Sequence, residues 1–531
     1  MNFSYRKPAL PCLAFLLLTS FATAADPSVL SPHEATHLGL EQAWGKTLQA
    51  GSGFGRLVDI TLHVDETRSR KYIDIFDGDQ LVWRTPTDRL DPVRGRPMGE
   101  EAVRKAAERE LIFLKARGIK GEIREKVVPQ IWLYALGTDG TVQALDAETG
   151  ETIWVERAGD PRQPKFSLGV DDDYVSFLCG ATLIQLNAVT GGLVNTEPCK
   201  TVPMGGATIV GQYVMNPSTT GIEGHFLEDI TEPPYLSMTS GHAIAKPRRF
   251  PKADMLVWPT SNELVYCMEV TATPSEMFQI QTTGNVNGRV ETVGEDRIYF
   301  STAGGHVHGF KVTRIATPLW QYSTGEPMVG DVIALDKNVY ATSSYGNLYA
   351  FDAASGQLAW KNPASRVEEV LGSIGDALIV RDSSNHLTVI NALNGSRAAT
   401  ALQSTLHRTI VNRGTDRIYL VSDTGFVQCL RPIGRELPDV KLAIEFKTET
   451  ESSEPSKPAA PKPSNDNPFG APAPGGADPF GAPAGGGDPF GAPAGGADPF
   501  GAPAGGADPF GAPAGGGAMD NADPFGAANP F

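Results

Sequence analysis

The chain has 531 residues, a net charge of −16 and an isoelectric point near 5.1. This acidic balance disfavours nucleic-acid binding, which needs cationic groups to neutralise phosphates, and it disfavours a polybasic role at a membrane surface. The length is large for one compact domain, but a repeat fold can reach it by adding units.

The N-terminus has the pattern of a secretory signal. A positively charged start precedes an apolar run over residues 10–21, and Ala22-Thr23-Ala24 supplies the small residues of a cleavage site. We therefore predict that residues 1–25 are a signal peptide and that the mature chain is periplasmic or extracellular. The run is shorter than the roughly 20 residues that span a bilayer, and Cys12 lies before the cleavage site. We expect neither a membrane span nor a lipid anchor.

Four cysteines remain in the predicted mature chain. Cys267 and Cys429 fall in apolar strand patterns, so we predict that both are buried free thiols. Cys179 and Cys199 are the one candidate pair for a disulfide in an oxidising compartment. The sequence leaves their pairing open.

The clearest internal repeat runs from Tyr134 to Trp154 and recurs from Tyr340 to Trp360. Each copy has a strand, a turn containing glycine, an alternating strand, a second turn with glycine, and a third strand that closes on tryptophan. Such turns between short alternating runs indicate hairpins, because glycine accepts the positive φ that the turns need.

The apolar residue before the repeat's aspartate marks the register of eight copies. These markers are Leu145, Leu186, Phe226, Met268, Phe310, Phe351, Ile390 and Leu430. They are spaced by 39 to 42 residues, which fits four strands of about 5–6 residues plus turns. We predict an all-β fold, a β-propeller of about eight blades. The Phe226 copy is placed mainly by spacing, and seven blades follow if it is an insertion loop.

Residues 144–154, ALDAETGETIW, resemble the tryptophan-docking repeat of PQQ-type, quinoprotein-like propellers, and residues 350–360 do so too. That group includes quinoprotein alcohol dehydrogenases and the outer-membrane-assembly propeller group of Gram-negative bacteria. The resemblance covers about residues 131–431. It implies that three tryptophans pack between blades: Trp154, Trp320 and Trp360.

Residues 26–130 do not follow the repeat. Ser31 as N-cap with proline next to it predicts a short helix, and alternation over residues 57–75 predicts strands. Residues 99–115 predict a second helix that Gly118 ends. We expect these helices and strands to pack on or join a propeller that occupies residues 131–447.

From residue 448 the composition changes to Pro, Gly and Ala with a repeated DPFGAPAGGA. One phenylalanine per ten residues cannot offset the entropy of ordering, so we predict that residues 448–531 are disordered. The tail is either a spacer or a string of short binding motifs that gain avidity from repetition. Its Asx-Pro-Phe cores begin at Asn467, Asp478, Asp488, Asp498, Asp508, Asp523 and Asn529.

Three sequence patterns resemble chemical sites. Residues 33–37 read H-E-A-T-H and match the zincin motif, but they follow the cleavage site closely, and Glu34 is already explained as a helix-cap partner. His306 and His308 share a strand face without further ligands, and the acidic residues 171–173 are most simply a solvated loop. We therefore assign no catalytic, cofactor-binding or metal-binding residue and expect no cofactor.

The enzymes of the resembling family hold their quinone beneath a disulfide between adjacent cysteines, and this chain contains no Cys-Cys pair. We therefore predict a non-enzymatic exported propeller that serves as a protein-binding scaffold in envelope assembly or organisation. Its protein partners would bind the propeller loops or the Asx-Pro-Phe tail. Two alternatives stay open: a PQQ-dependent dehydrogenase-like enzyme, and a propeller that binds a small ligand or glycan in its funnel.

Overall fold

The computed structural model describes residues 28–50, 56–78, 80–89, 97–228, 231–402 and 406–441. The predicted signal peptide and the predicted tail from residue 448 therefore lie outside the described residues.

The described residues form two helices and eight antiparallel sheets, which we number along the chain. The helices are α1 (Pro32–His37) and α2 (Glu100–Ala116). Sheet 1 contains β2 (Leu57–Asp77), β3 (Gln80–Pro86), β4 (Glu122–Gly137), β5 (Thr141–Asp146) and β6 (Thr152–Arg157). Sheet 2 contains β7 (Gly169–Val170), β8 (Tyr174–Cys179), β9 (Thr182–Asn187) and β10 (Leu193–Pro198). Sheet 3 contains β11 (Thr208–Val210), β12 (Tyr213–Pro217), β13 (Gly221–Phe226) and β14 (Tyr235–Met238).

The second half of the chain repeats this arrangement. Sheet 4 contains β15 (Arg248–Arg249), β16 (Met255–Pro259), β17 (Leu264–Glu269) and β18 (Ser275–Gln281). Sheet 5 contains β19 (Glu291–Val293), β20 (Arg297–Ser301), β21 (His306–Val312) and β22 (Ala316–Ser323). Sheet 6 contains β23 (Ile333–Leu335), β24 (Asn338–Thr342) and β25 (Leu348–Asp352). Sheet 7 contains β26 (Val367–Ile374), β27 (Ala377–Asp382), β28 (Leu387–Asn391) and β29 (Arg397–Ala401). Sheet 8 contains β1 (Leu40–Thr47), β30 (Leu406–Ile410), β31 (Ile418–Ser422) and β32 (Phe426–Pro432).

The repeat register read from the sequence is present in the sheets. Every one of the eight markers lies in the equivalent strand of its sheet, from Leu145 in β5 to Leu430 in β32. The Phe226 copy is not an insertion loop, since it forms the four-stranded sheet 3. The spacing alone was therefore sufficient to place the weakest copy.

One strand prediction is wrong. The segment that ends at Trp360 forms only an isolated bridge between Phe351 and Leu358, so sheet 6 has three strands. Pro363 follows closely, and a proline has no N–H to extend the ladder.

Each sheet packs on the next through its own apolar cluster, and sheet 8 packs on sheet 1 in the same way. The closing contact places Tyr419 and Cys429 of sheet 8 against Leu133 and Leu145 of sheet 1. A sheet of this kind is apolar on both faces, so only two neighbouring sheets can cover it. The succession of sheets therefore closes on itself.

The first strand of the chain completes the last sheet. β1 pairs with β32 from Leu40 opposite Pro432 to Thr47 opposite Phe426. This pairing covers an edge that would otherwise be open. The predicted propeller boundary at residue 131 falls inside β4, after three strands, β1 to β3, that already belong to sheets.

Sheet 1 carries an extension that we call the arm, residues 65–130. The pairing of β2 with β4 is interrupted between Val64 and Ser69, and beyond the interruption both strands continue with β3 added. Helix α2 covers this extension, and Gly118 (φ +86°) ends the helix, as the sequence predicts. The arm has a small core of its own, made of Ile73, Ile75, Val103, Ala107 and Leu114. Of the described helices, neither has the length and apolar character needed to cross a bilayer.

Candidate functional site

The zincin-like segment forms α1 at the start of the described chain. Ser31 Oγ accepts a hydrogen bond from the Glu34 backbone N–H at 3.3 Å, which is the predicted N-cap. His33 and His37 are both exposed. The segment therefore has the helix-start geometry that its sequence predicts.

His306 and His308 both lie on β21, with ring centroids 6.0 Å apart. His308 is buried and stacks on Phe300 at 5.0 Å between centroids. Burial, with a smaller effect of neighbouring His306, lowers the pKa of His308 to about 4. His308 is thus a neutral core ring at physiological pH.

The acidic run 171–173 is not a solvated loop, and that interpretation was wrong. Asp172 Oδ1 lies 2.8 Å from His63 Nε2, and Asp173 Oδ1 lies 2.7 Å from Arg68 Nη2. Arg68 also pairs with Asp65 at 2.9 Å. Burial opposes ionisation of Asp172, but the contacts with His63 and with nearby backbone N–H groups outweigh it and lower its pKa to about 2. The run fixes the base of the arm to sheet 2.

All four cysteines of the described residues are free thiols. Cys179 and Cys199 are therefore not joined. Cys267 and Cys429 are buried as predicted, and burial raises the pKa of each to about 12. Neither of these two thiols is poised for reaction, because a reactive cysteine needs a lowered pKa.

Tryptophans dock each of four sheets onto the next, which confirms the role inferred from the repeat. The indole N–H donates to a turn carbonyl of the neighbouring sheet: Trp44 to Ala147 (2.9 Å), Trp154 to Ala188 (2.9 Å), Trp320 to Ala353 (3.0 Å) and Trp360 to Ala392 (2.8 Å). Three residues after each carbonyl, a glycine with φ of +71° to +75° lies under the indole ring. Trp44 was missed by the sequence reasoning, because it lies in β1, outside the repeat.

Charged side chains form ion pairs near the middle of the ring. Arg413 follows β30 of sheet 8, and its Nε lies 2.8 Å from Glu291 Oε1 on β19 of sheet 5. This ion pair therefore joins two sheets that are not neighbours. Arg248 is a second cation at the same carboxylate, at 3.8 Å, and Arg289 pairs with Asp331 at 2.9 Å. These contacts hold three arginine side chains near the middle of the ring, although the chain as a whole is acidic.

The helix of the arm carries exposed apolar side chains. One face of α2 buries Val103, Ala107 and Leu114 on the arm's strands. Ile112 and Phe113 point away from that face and are 67% and 65% exposed. Adjacent exposed apolar side chains can form part of a surface that meets another protein.

A cavity of about 230 Å³ lies at the base of the arm, between β2, β4 and the turn after β5. Tyr72 donates a hydrogen bond to Glu148 Oε2 at 3.0 Å, and Arg70 pairs with Asp146 at 3.2 Å. Burial raises the pKa of Glu148. Glu148 Oε1 and the indole N–H of Trp132 are buried without a hydrogen-bond partner within the described chain. An acceptor and a donor therefore line the cavity unpaired, a state that costs free energy until a polar group pairs with them.

A buried polar cluster lies at the junction of sheets 2 and 3. His225 Nδ1 is 2.6 Å from Glu197 Oε2, and its Nε2 is 3.0 Å from Glu223 Oε1. Burial opposes protonation of His225, but contacts with Cys199, Glu223 and Glu197 outweigh it and raise its pKa to about 10. Burial likewise opposes ionisation of Glu223, but His225 and the donors at Thr201 and Lys200 lower its pKa to about 2. No sequence motif predicted this cluster.

A family model and solved structures of other proteins are similar to this chain. The family model described as outer membrane protein assembly factor BamB matches residues 42–221 and 252–433. Two solved structures are similar in fold. BamB from Moraxella catarrhalis shares 18% identity, with 56% of this chain and 93% of that chain covered and a TM-score of 0.46. The computationally designed Ika8 protein shares 13% identity, with 56% and 92% covered and the same TM-score of 0.46. No curated protein matches the chain.

The two matched regions lie in both halves of the ring, from β1 to the start of β13 in sheet 3 and from the segment before β16 in sheet 4 to β32. Together they make up more than half of the chain. The protein therefore belongs to the PQQ-repeat family described as outer membrane protein assembly factor BamB.

Proposed function

We propose that this chain is a non-catalytic, protein-binding scaffold that supports outer-membrane protein assembly from outside the cytoplasm. The family membership supports a protein-interaction role in this process. The signal-like residues 1–25 support export. The eight sheets, each packed on the next, support an eight-bladed propeller as the frame.

The single observation that carries the proposal is the exposed apolar face of α2. Ile112 and Phe113 lie outside the arm's core and are exposed, so both are free to contact a partner. The cavity at the arm's base adds an unpaired donor and acceptor that a partner's polar side chain could satisfy. We propose that the arm is the docking surface, with the ring as its rigid support.

Gene deletion with complementation tests the function. In cells that lack the chain, we expect lower levels of folded outer-membrane β-barrel proteins, restored by the full chain. The double variant Ile112→Asp/Phe113→Asp should fail to restore them. Its stability should stay within about 0.5 kcal/mol of the parent, because both changes are at the surface.

The matched control is Leu236→Asp/Met238→Asp. These side chains are 52% and 82% exposed on β14, away from the arm. This control should restore outer-membrane proteins fully. Unchanged outer-membrane protein levels after deletion would overturn the function, whereas equal rescue by both variants would overturn only the docking surface.

For the tail we propose the role of a spacer rather than of a binding element. A chain that stops at Lys447 should recover the same envelope proteins as the full chain in a crosslinking pull-down. Loss of the partners from the shortened chain would instead assign binding to the Asx-Pro-Phe repeats, which present one phenylalanine anchor about every ten residues.

A further inference from the structure

We propose that Cys199, Glu223 and His225 form a binding site for a divalent transition metal of the zinc type at the junction of sheets 2 and 3. The site would have three protein ligands, with a fourth coordination position open to water. It is independent of the docking role of the arm, which lies on sheet 1.

The three side chains offer the donor atoms that zinc prefers: a thiolate, an imidazole nitrogen and a carboxylate oxygen. One ligand atom from each lies within 4.8 Å of the others. Around a tetrahedral zinc, with Zn–N and Zn–O bonds of about 2.0–2.2 Å, neighbouring N and O ligands are roughly 3.3 Å apart. The observed distance from His225 Nε2 to Glu223 Oε1 is 3.0 Å, so this pair needs little movement to bind.

The orientation of His225 supports a ligand at Nε2. This nitrogen is buried and, despite the short distance to Glu223, has no hydrogen-bond partner among the described residues. It is therefore aimed beside the carboxylate oxygen rather than at it, as two ligands of one ion are. The other ring nitrogen is held by Glu197 at 2.6 Å. A carboxylate on the non-ligating nitrogen is the usual outer-shell partner of a metal-bound histidine.

Glu223 is fixed by outer contacts as well. Its Oε1 accepts the backbone N–H of Lys200 at 2.7 Å, and its Oε2 accepts the backbone N–H of Thr201 at 2.8 Å. A carboxylate oxygen can accept a second contact, so Oε1 keeps a lone pair for a metal. Because Lys200 and Thr201 directly follow Cys199, the same turn positions the thiol and the carboxylate.

Cobalt(II) titration of the metal-stripped full chain, without a histidine tag, tests the site. We expect one cobalt ion per chain, with a near-ultraviolet thiolate-to-cobalt charge-transfer band and visible bands of four-coordinate cobalt, all removed by added zinc. Cys199→Ser should lose the charge-transfer band and weaken zinc binding at least tenfold. Cys199 is half-buried, so this variant is expected to fold.

Cys179→Ser is the matched control. Cys179 Sγ already donates to the Asp160 carbonyl oxygen at 3.5 Å, and a serine hydroxyl can keep that contact. The band should persist in this variant. The absence of stoichiometric binding by the parent chain, or a band that survives Cys199→Ser, would overturn the site.

Discussion

Trp154 in sheet 1 and Asn195 in sheet 2 occupy the same register position of their repeats. Trp154 lies opposite Ala144 on β5, and Asn195 lies opposite Gln185 on β9. Trp154 donates across the junction to Ala188 of sheet 2. Asn195 donates instead to Glu197, the partner of His225 in sheet 3. The same position of the repeat thus holds a docking tryptophan at one sheet junction and an asparagine of a polar network at the next.

Two buried histidines show the same contrast. His225 lies at the polar junction of sheets 2 and 3, where the surrounding acids raise its pKa to about 10 despite burial. His308 lies in sheet 5 beside Phe300, where burial lowers its pKa to about 4. The fold tolerates an imidazolium or a neutral imidazole at sheet junctions, according to the partners within reach.

The largest effect is expected from removing an apolar dock. Trp360→Ala should lower the free energy of unfolding by about 3–5 kcal/mol, because a buried indole is lost and a cavity is left. Asn195→Ala, at a polar junction, should cost less than about 1 kcal/mol. Chemical denaturation followed by circular dichroism measures both. Trp360→Phe keeps a ring and should recover most of the loss. Equal costs for Trp360→Ala and Asn195→Ala would contradict the comparison.

Acid should weaken the apolar junction through His308. Its folded pKa of about 4 lies below the ordinary value near 6.5, so the unfolded chain takes up the proton first. Stability should therefore fall as pH drops from about 6.5 to 4, by at most about 3 kcal/mol from this group. His308→Phe should remove that part of the pH dependence, whereas His306→Gln should retain it. Denaturation midpoints measured across this pH range test the prediction. If stability depended on pH equally in His308→Phe and in the parent, the burial of a neutral ring would be contradicted.

The smallest effect concerns the turn under a docking tryptophan. Gly191 has a φ of +75°, and a Cβ there would lie 2.6 Å from the Trp154 ring. Gly191→Ala should cost about 2 kcal/mol through backbone strain and displacement of the indole. Gly192→Ala is the control, because its Cβ would meet nothing closer than Thr190 Oγ1 at 3.5 Å. Thermal unfolding of the two variants should separate their midpoints by about 2 °C, and equal midpoints would show that the dock does not depend on this glycine.

Much of the fold could be predicted because the repeat is local. A turn glycine, an alternating strand and a tryptophan about ten residues later identify a unit without any knowledge of its neighbours. The Phe226 copy was found from the period alone, and the caps at Ser31 and Gly118 followed from helix-end chemistry. The exceptions are equally specific. Pro363 follows the segment that fails to extend sheet 6. The acids at 171–173 have His63 and Arg68, at the base of the arm, as partners more than 100 residues earlier.

The sequence by itself determined the period and the β class, because both depend on residues a few positions apart. The docking role of three tryptophans came from the resemblance to PQQ-type repeats. The tertiary structure alone decided that β1 completes the sheet of β30–β32, which brings Trp44 onto the Ala147 turn. It also decided that Cys199 meets Glu223 and His225. The first of these contacts joins opposite ends of the chain, and the last joins residues of two different sheets. Their geometry is set by how the sheets pack and how the ring closes, which no local pattern encodes.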